Sequence, residues 1–341
     1  MDPPPFYKLF HTIPPKIQKS GKQIALWLHQ PLYGTKQGAH HWYQELKWIL
    51  IGLGFGVSQA DEAVFYRVEN DKFTILAVAT DDFTIIADSP ESSVCTKEEM
   101  NKFFELVDLG PISWLLGVSA VCEPKKRTIL LSQKSYIKQI LNRFRLSNAK
   151  PISTPMEPRI NLAPDSPSVL PTLLSNPEKS MYRKMIGSLM YLSTMMCPEI
   201  TYAVSTLSKY LDSPHSTHLE AIKQIFQYLI NTRHLQLIIG SNCLTNMDST
   251  SRILGFSDAD WASQLHHHSI SEFTFFVGVG AVSWSTKCYG SVHLLYICFT
   301  YCFTLFHFLS TPVSSCASLF TYILHLLYQR LRTSLHHHVQ P

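Results

Sequence analysis

The sequence predicts an α+β protein, and three observations support this. Phe73–Ala79 and Phe83–Ala87 are apolar runs separated by three residues, which is typical of a β-hairpin. In His218–Leu229, apolar residues recur every three or four positions, as they do on one face of a helix. Arg252–Ser257 and Phe273–Trp284 then indicate further strands. The chain shows no internal repeat.

The overall composition is that of a folded protein. The 341 residues carry 29 Lys plus Arg against 25 Asp plus Glu, and the net charge of +4 neither requires nor excludes a nucleic-acid partner. With 45% hydrophobic residues the chain can bury a sizeable core, which excludes general disorder, and its length suggests two domains. Its eight cysteines include no Cys-x-x-Cys pair, which argues against a disulfide scaffold or a structural zinc site. Because Met1–Phe10 does not resemble a signal peptide, we expect a cytoplasmic or nuclear protein.

Charge is distributed unevenly along the chain. Between Glu123 and Lys150 there are eight basic residues and one acid, whereas Glu272 is the last acid of the sequence. Any chemistry that needs carboxylates must therefore use residues upstream of Phe273.

In chain order, the first predicted element is a short amphipathic helix, Gln44–Leu53. The hairpin follows, and an acidic helix, Ser92–Leu106, comes after it. Thr128–Leu131 is a predicted strand, and Ser132 is a candidate N-cap for a helix that runs to about Leu146.

The helix after Ser132 has two distinct faces. Its apolar arc consists of Tyr136, Ile137, Ile140, Leu141 and Phe144. On a helical wheel, Lys134, Lys138 and Arg145 form a basic stripe beside that arc. A solvated helix face normally carries interspersed glutamates, and this stripe has none, so contact with a nucleic-acid backbone is favoured over simple solvent exposure. Three more basic residues precede it: Lys125, Lys126 and Arg127.

The middle of the chain is predicted to be a linker followed by helices. Ser147–Pro177 carries seven prolines and many small residues, which favours a linker. Tyr182–Thr194 and Thr201–Leu211 have helical patterns, and His218–Leu229 completes this helical region.

Asp81 and Asp82 are the strongest sign of chemistry. They stand at the tip of the predicted hairpin between largely apolar strands, where two adjacent carboxylates must be solvated or neutralised. Mg²⁺ takes oxygen ligands, and two-metal phosphoryl transfer needs carboxylates that bridge two ions. The alternative is an ordinary Asp-Asp turn, since aspartate favours turns.

Seven blocks, in order from about Met1 to Lys287, resemble the reverse transcriptase–RNase H region of a copia-type LTR-retrotransposon polyprotein. The blocks are Leu32-Tyr33-Gly34-Thr35-Lys36-Gln37 with Trp42-Tyr43, Ala79-Thr80-Asp81-Asp82, Asp108-Leu109-Gly110 with Leu116-Gly117, Leu131-Ser132-Gln133 with Tyr136-Ile137, Tyr182-Arg183 with Ile186-Gly187-Ser188-Leu189 and Tyr191-Leu192, Gly255–Ala262, and Ala281–Ser285.

The resemblance implies RNA-directed DNA synthesis on a template–primer duplex with dNTP substrates. It places Tyr33, Gly34, Lys36 and Gln37 beside the template and the incoming nucleotide. It also implies that Mg²⁺ is held by Asp81 with support from Asp82, and that Asp258 is the first catalytic aspartate of an RNase H domain.

The resemblance also implies a domain organisation. We expect a partial polymerase palm and thumb in residues 1–150 and a linker with a helical connection in 151–250. A truncated RNase H-like β-sheet is expected in 251–287, and residues 288–341 form an apolar tail that does not resemble the family.

The departures from the family pattern predict an inactive fragment. The family carries a further catalytic Asp upstream of the Tyr33 block, but the only acid before Glu45 is Asp2, in a proline cluster. Asp258 lacks later RNase H carboxylates, because no acid follows Glu272. We therefore expect a degenerate polymerase fragment, truncated at both ends of its catalytic core and inactive in both parts.

Two alternatives remain open. The chain could keep a non-catalytic affinity for RNA–DNA duplex through the basic stripe. It could instead be a membrane-associated remnant, because Val292–Leu309 is an apolar-dominated run that just reaches the length of a membrane span.

Overall fold

A computed structural model describes residues 34–59, 61–79, 82–126, 128–157, 160, 162, 172–240, 253–259, 269–277 and 279–289. Within these ranges the chain forms six α-helices and three antiparallel sheets, which confirms the predicted α+β class. The helices are α1 (Lys36–Gly52), α2 (Pro90–Asn101), α3 (Lys134–Arg143), α4 (Asn176–Met195), α5 (Thr201–Ser208) and α6 (Ser216–Thr232). The strands are β1 (Gly56–Val57), β2 (Val64–Glu69), β3 (Lys72–Ala79), β4 (Asp82–Ala87), β5 (Trp114–Leu115), β6 (Val118–Glu123), β7 (Thr128–Ser132), β8 (Leu237–Gly240), β9 (Ile253–Ala259), β10 (Ser269–Val277) and β11 (Gly280–Tyr289).

The first sheet has the strand order β1-β2-β3-β4 and contains the predicted hairpin as β3 and β4. Because side chains alternate between the two faces of a strand, one face of this sheet turns toward α1 and α2 and buries apolar side chains there. We call these residues the first cluster: Leu46, Leu50, Phe55, Phe65, Leu76 and Met100.

The second sheet has the order β5-β6-β7-β8 and joins two distant parts of the chain. Strand β8, which the sequence analysis did not predict, pairs with β7 so that Ile239 lies opposite Ile129. Both side chains belong to a large buried core, the second cluster, to which helices α3 to α6 also contribute. The cluster contains residues from Leu115 to Ile239. This buried core therefore crosses residue 150, where the sequence analysis places the end of the palm and thumb.

The third sheet, with the order β11-β10-β9, is attached to the helices of the second cluster through β11. The buried indole of Trp284 donates a hydrogen bond to the carbonyl of Ser193 in α4, at 2.8 Å. Gly280 lies so close to β8 that an added Cβ atom would stand 2.3 Å from the carbonyl oxygen of Ile238. The β11 strand is therefore covered on this side by described parts of the chain.

Two helices begin earlier than predicted because of their caps. Helix α1 begins at Lys36 and not at Gln44, since the Thr35 hydroxyl accepts the amide of Gly38. Helix α2 spans Pro90–Asn101 where Ser92–Leu106 was predicted, because Ser89 is its N-cap and its C-terminal Asn101 side chain accepts the amide of Leu106.

Helix α3 ends earlier than predicted, and this changes the basic stripe. The helix stops at Arg143, and Arg145 lies beyond it with a left-handed φ of 59°. The prediction that Arg145 shares a helical stripe with Lys134 and Lys138 is therefore wrong, because wheel spacing applies only within the helix. The apolar arc is confirmed: Ile137, Ile140 and Leu141 are buried.

Part of the predicted linker packs against the fold. The described residues of the segment 152–162, which we call the strap (152–157, 160 and 162), contact α6 and the second cluster: the Ile152 amide donates to the carbonyl of Gln227, and the Gln224 side chain donates to that of Thr154. Leu162 is buried in the second cluster.

In the part of the chain that the structure describes, we find no helix with the length and apolarity needed to cross a membrane. Val292–Leu309 lies outside the described residues.

Candidate functional site

The tip of the β3–β4 hairpin carries the predicted catalytic box. Ala79 and Asp82 are the last pair in the register of β3 and β4, so a two-residue connection joins the strands. Asp81, like Thr80, lies outside the described residues, whereas Asp82 opens β4 and is exposed.

The side chain of Asp82 belongs to a defined face of the first sheet. Residues directly opposite each other in an antiparallel pair share a face, so Asp82 shares one with Ala79 and, two positions along each strand, with Ala77 and Thr84. Ala77 and Ile86 on this face pack against the second cluster. The exposed carboxylate therefore lies at the end of the sheet face that meets the second cluster.

The donor set at this tip suits magnesium. An exposed carboxylate beside a second one in the sequence supplies the oxygen ligands that Mg²⁺ takes, and Mg²⁺ commonly uses one or two carboxylates and keeps several waters. Among the described residues, which do not include Asp81, no group of three or more His, Cys, Asp or Glu side chains could hold a metal ion. Asp82 thus fits a magnesium ligand of a two-carboxylate site.

The block beside the predicted nucleotide position forms the start of α1. Tyr33 lies outside the described residues, Gly34 has a φ of 84°, and Thr35 is the N-cap. Lys36 and Gln37 open the helix, and its first turn carries no acid. A helix N-terminus free of acids favours an anion such as a phosphate group.

Aromatic contacts connect α1 with the strand that carries Asp82. The ring of Trp42 meets that of Phe104 edge to face, with centroids 5.6 Å apart. Phe104 in turn packs against Phe83, the residue after Asp82, at 6.0 Å. The Trp42 block and the Asp82 block of the sequence are therefore joined through one intermediate side chain.

The basic surface is centred on the exposed side of α3. Lys134 and Lys138 are exposed and one turn apart, so their side chains are neighbours on the helix surface. Arg145 is exposed just beyond the helix. Lys126 forms an exposed ion pair with Glu123 at 3.2 Å, while Arg127 lies outside the described residues.

Asp258 lies on β9 of the third sheet and is exposed, with one of its oxygens accepting the amide of Ala259. Its partner in the register of β10 is Glu272, whose side chain accepts a hydrogen bond from Thr286 of β11. Sequence reasoning noted Glu272 only as the last acid of the chain and missed this pairing, because the register of two strands joined by a long connection is not a local property. Asp260 lies outside the described residues.

Asp108, in another of the family blocks, fixes the turn after α2. The Lys97 ammonium, which pairs with one of its oxygens at 2.8 Å, lowers the pKa of this carboxyl, and the amide of Gly110 lowers it further. Asp108 is therefore an anchor of the turn between α2 and β5.

Comparisons with known proteins identify a family. The model of the family described as "Reverse transcriptase (RNA-dependent DNA polymerase)" matches residues 6–158. The chain is 32% identical over 286 residues to the retrovirus-related Pol polyprotein from transposon TNT 1-94 of Nicotiana tabacum, covering 82% of this chain and 21% of that protein. It is 31% identical over 272 residues to the corresponding polyprotein from transposon RE1 of Arabidopsis thaliana, covering 80% of this chain and 18% of the relative.

A third relative is only slightly longer than the segment over which it matches this chain. A Saccharomyces cerevisiae protein named after transposon Ty5-1 is 26% identical over 291 residues, which cover 84% of this chain and 88% of that protein. The chain thus spans about a fifth of the length of the two plant polyproteins. No solved structure matches it.

Proposed function

The chain belongs to the reverse transcriptases of copia-type LTR-retrotransposon polyproteins, and on that premise we propose that it binds RNA–DNA template–primer duplex without extending the primer on its own. The observation that carries this proposal is the exposed pair Lys134 and Lys138 on a well-packed helix of the second cluster. Such side chains hold phosphates through charge, independently of base sequence.

The residues of the hairpin tip explain the second half of the proposal. Asp81 and Asp82 would hold Mg²⁺, which when bound supplies a positive charge to the phosphoryl group. The family carries a further catalytic Asp upstream of the Tyr33 block, and the only acid upstream of Glu45 in this sequence is Asp2. In the described part of the third sheet, Asp258 has only one other carboxylate beside it, that of Glu272, which lies opposite it in the strand register. We therefore propose that neither part is catalytically competent in this chain.

Duplex binding is tested by fluorescence anisotropy with a labelled RNA–DNA duplex between about 50 and 200 mM salt. We expect weak binding whose affinity falls steeply over this range. Replacing Lys134, Lys138 and Arg145 together by glutamine should reduce the slope of log K against log salt by about 2–3, at roughly 0.9 per lost phosphate contact. The control is Lys72→Gln with Lys102→Gln, two exposed lysines of the first unit, by which we mean the described residues built around the first cluster; the second unit is built around the second cluster. A slope that falls by as much per charge removed in the control would place the binding surface elsewhere.

The absence of synthesis is tested by primer extension on a poly-rA template with Mg²⁺ or Mn²⁺. We expect no extension product from the full chain. Extension that disappears in Asp81→Ala would show that another carboxylate of this chain completes the site, and this half of the proposal would be wrong.

A further inference from the structure

Three of the family blocks meet at one place, at the N-terminal half of the basic helix α3. The Tyr136 hydroxyl, on α3, donates a hydrogen bond to the carbonyl of Ser188 in α4, at 3.2 Å. The Tyr191 hydroxyl, also in α4, donates to the carbonyl of Leu116 in the β5–β6 turn, at 3.0 Å. The two tyrosine rings meet edge to face with centroids 5.0 Å apart. We call this group, completed by Gly117 and Gln133, the tyrosine junction.

The β5–β6 turn is shaped around Tyr191. Leu115 pairs with Val118, so Leu116 and Gly117 alone form the turn, and both have left-handed φ values of 50° and 80°. A Cβ atom on Gly117 would stand 2.5 Å from the Tyr191 hydroxyl oxygen, closer than real contacts allow. A bulky residue such as Leu116 rarely adopts this conformation, so the surrounding contacts must hold it there.

The N-terminal end of α3 is buried beside the same junction. Gln133, the N-cap of α3, is only 3% exposed and lies near the Tyr191 hydroxyl, but among the described residues its side-chain amide has no hydrogen-bond partner. Burial is the main cause that raises the pKa of both Tyr136 and Tyr191. Both phenols therefore stay protonated hydrogen-bond donors at neutral pH.

The hydrogen bonds of the junction restrict the rotation of α3, which apolar packing does not do. Ile137, Ile140 and Leu141 hold α3 on the second cluster, but apolar burial is non-directional and leaves a helix free to rotate slightly. Hydrogen bonds are directional, so the bond from Tyr136 to α4 fixes the rotation of α3 about its axis. Tyr191 supports it, because its own bond to the β5–β6 turn holds its ring edge to face against that of Tyr136. Lys134 and Lys138 stand on either side of Tyr136 in the sequence, and this rotation sets where their ammonium groups point.

We propose that Tyr136 and Tyr191 are positioning residues for duplex binding: they hold the lysines of α3 in the orientation in which both reach phosphates of one duplex. The inference deepens the proposed function and rests on it. It also explains why residues so far apart in the sequence as Gly117, Gln133 and Tyr191 belong to recognisable blocks although none of them is a charged ligand.

The test compares Tyr136→Phe and Tyr191→Phe with Tyr182→Phe in the full chain. Tyr182 is a matched control, because its buried hydroxyl also donates to a backbone carbonyl of the second cluster, that of Leu207 at 2.7 Å, but connects α4 with α5 instead of α3. We expect Tyr136→Phe and Tyr191→Phe to weaken duplex binding by about three- to tenfold. Each should also lower the salt slope by about 1, the equivalent of one lost phosphate contact. Tyr182→Phe should change neither.

Amide hydrogen exchange of residues 134–143, measured without duplex, separates this inference from the proposed function. We expect faster exchange there in Tyr136→Phe and Tyr191→Phe but not in Tyr182→Phe. If binding and exchange respond equally in all three variants, the junction is merely structural and the inference is wrong. If exchange follows the prediction while binding does not depend on Lys134 and Lys138, the proposed function fails, and with it the role in binding that we assign to the junction.

Discussion

The first and second clusters are stabilised in different ways. Among the described residues, the first cluster has six buried apolar side chains, whereas the second has 28. Next to the first cluster, the guanidinium of Arg67 bridges strand β2 and helix α2 by pairing with Glu99 at 2.7 Å. The second cluster contains instead neutral hydroxyls that donate to backbone carbonyls, such as that of Tyr182.

The difference in size between the two clusters indicates whether the hairpin or the basic helix is the more resistant to destabilisation. The hairpin with Asp82 lies on the small cluster, and the basic helix α3 lies on the large one. Because stability scales with buried apolar area, duplex binding should survive perturbations that disorder the hairpin. Four predictions sharpen this comparison.

The largest effects are expected from matched cavities in the two clusters. Leu76 and Leu189 are both fully buried, in the first and second cluster respectively. Each Leu→Ala change should lower the free energy of unfolding of its own unit by about 2–5 kcal/mol. In urea unfolding followed together with duplex anisotropy, Leu189→Ala should lose duplex binding and Leu76→Ala should keep it. Equal losses would mean that the two clusters unfold as one.

The next largest effect on stability is expected from the ion pair between Arg67 and Glu99 in the first unit. Replacing Arg67 by Met leaves Glu99 without its main partner and removes the cation from the Phe55 ring, 4.7 Å away. We expect a loss of about 2 kcal/mol in urea unfolding, below the 3–5 kcal/mol of a fully buried pair because Glu99 keeps 27% of its side chain exposed. Arg183→Met is the control: its pair with Asp212 is exposed, and the change should cost less than about 1 kcal/mol. A loss as large in Arg183→Met would show that burial does not decide the strength of these pairs.

The attachment of the third sheet should give an effect of comparable size. A Cβ atom at Gly280 meets backbone of β8, which cannot move aside as a flexible side chain can, so Gly280→Ala should separate β11 from β8 at a cost of about 1–3 kcal/mol. Faster amide exchange in residues 280–289 would report this separation. Gly52→Ala has open space around its Cβ atom and should leave exchange there unchanged. Unchanged exchange in Gly280→Ala would mean that the sheet does not depend on β8.

Local patterns predicted those parts of the fold that depend on neighbouring residues. The β3–β4 hairpin follows from two apolar runs, and the buried faces of α3 and α6 follow from helical spacing. Strand β8 has only four residues, and its pairing with β7 is a long-range event that no local pattern contains. Side-chain caps fixed the early starts of α1 and α2.

The candidate site was predictable to a similar degree. Adjacent carboxylates between apolar strands identified the tip, and a basic stripe identified α3. Arg145 was misplaced because a left-handed residue ends the stretch over which wheel spacing holds. The prolines around the strap predict a linker, because they exclude a helix, but they do not exclude packing. The contacts of the strap with α6 are single hydrogen bonds, which composition does not reveal.

The smallest predicted effect concerns His218, which fastens the strap to α6. The ring is 1% exposed; its Nδ1 accepts the amide of His215 at 2.9 Å, so its Nε2 carries the proton and donates to the carbonyl of Leu162 at 2.9 Å. The Tyr210 ring stacks on it at 4.0 Å, and the His215 ring meets it edge on at 5.5 Å. Protonating Nδ1 would break the bond to His215.

We therefore expect low pH to destabilise the second unit through protonation of His218. Burial is the main cause that lowers the pKa of His218 below its ordinary value of 6.5, and His215 lowers it further. The unfolded chain then binds a proton that the folded chain does not, so stability is full above pH 6.5 and falls as the pH drops below it, by at most about 1.4 kcal/mol per pH unit for one proton. Urea unfolding between pH 7.5 and 5 measures this slope. His218→Gln, which does not titrate, should flatten it, whereas the exposed His234→Gln should not. An unchanged slope in His218→Gln would assign the acid sensitivity to another group and leave the strap independent of pH.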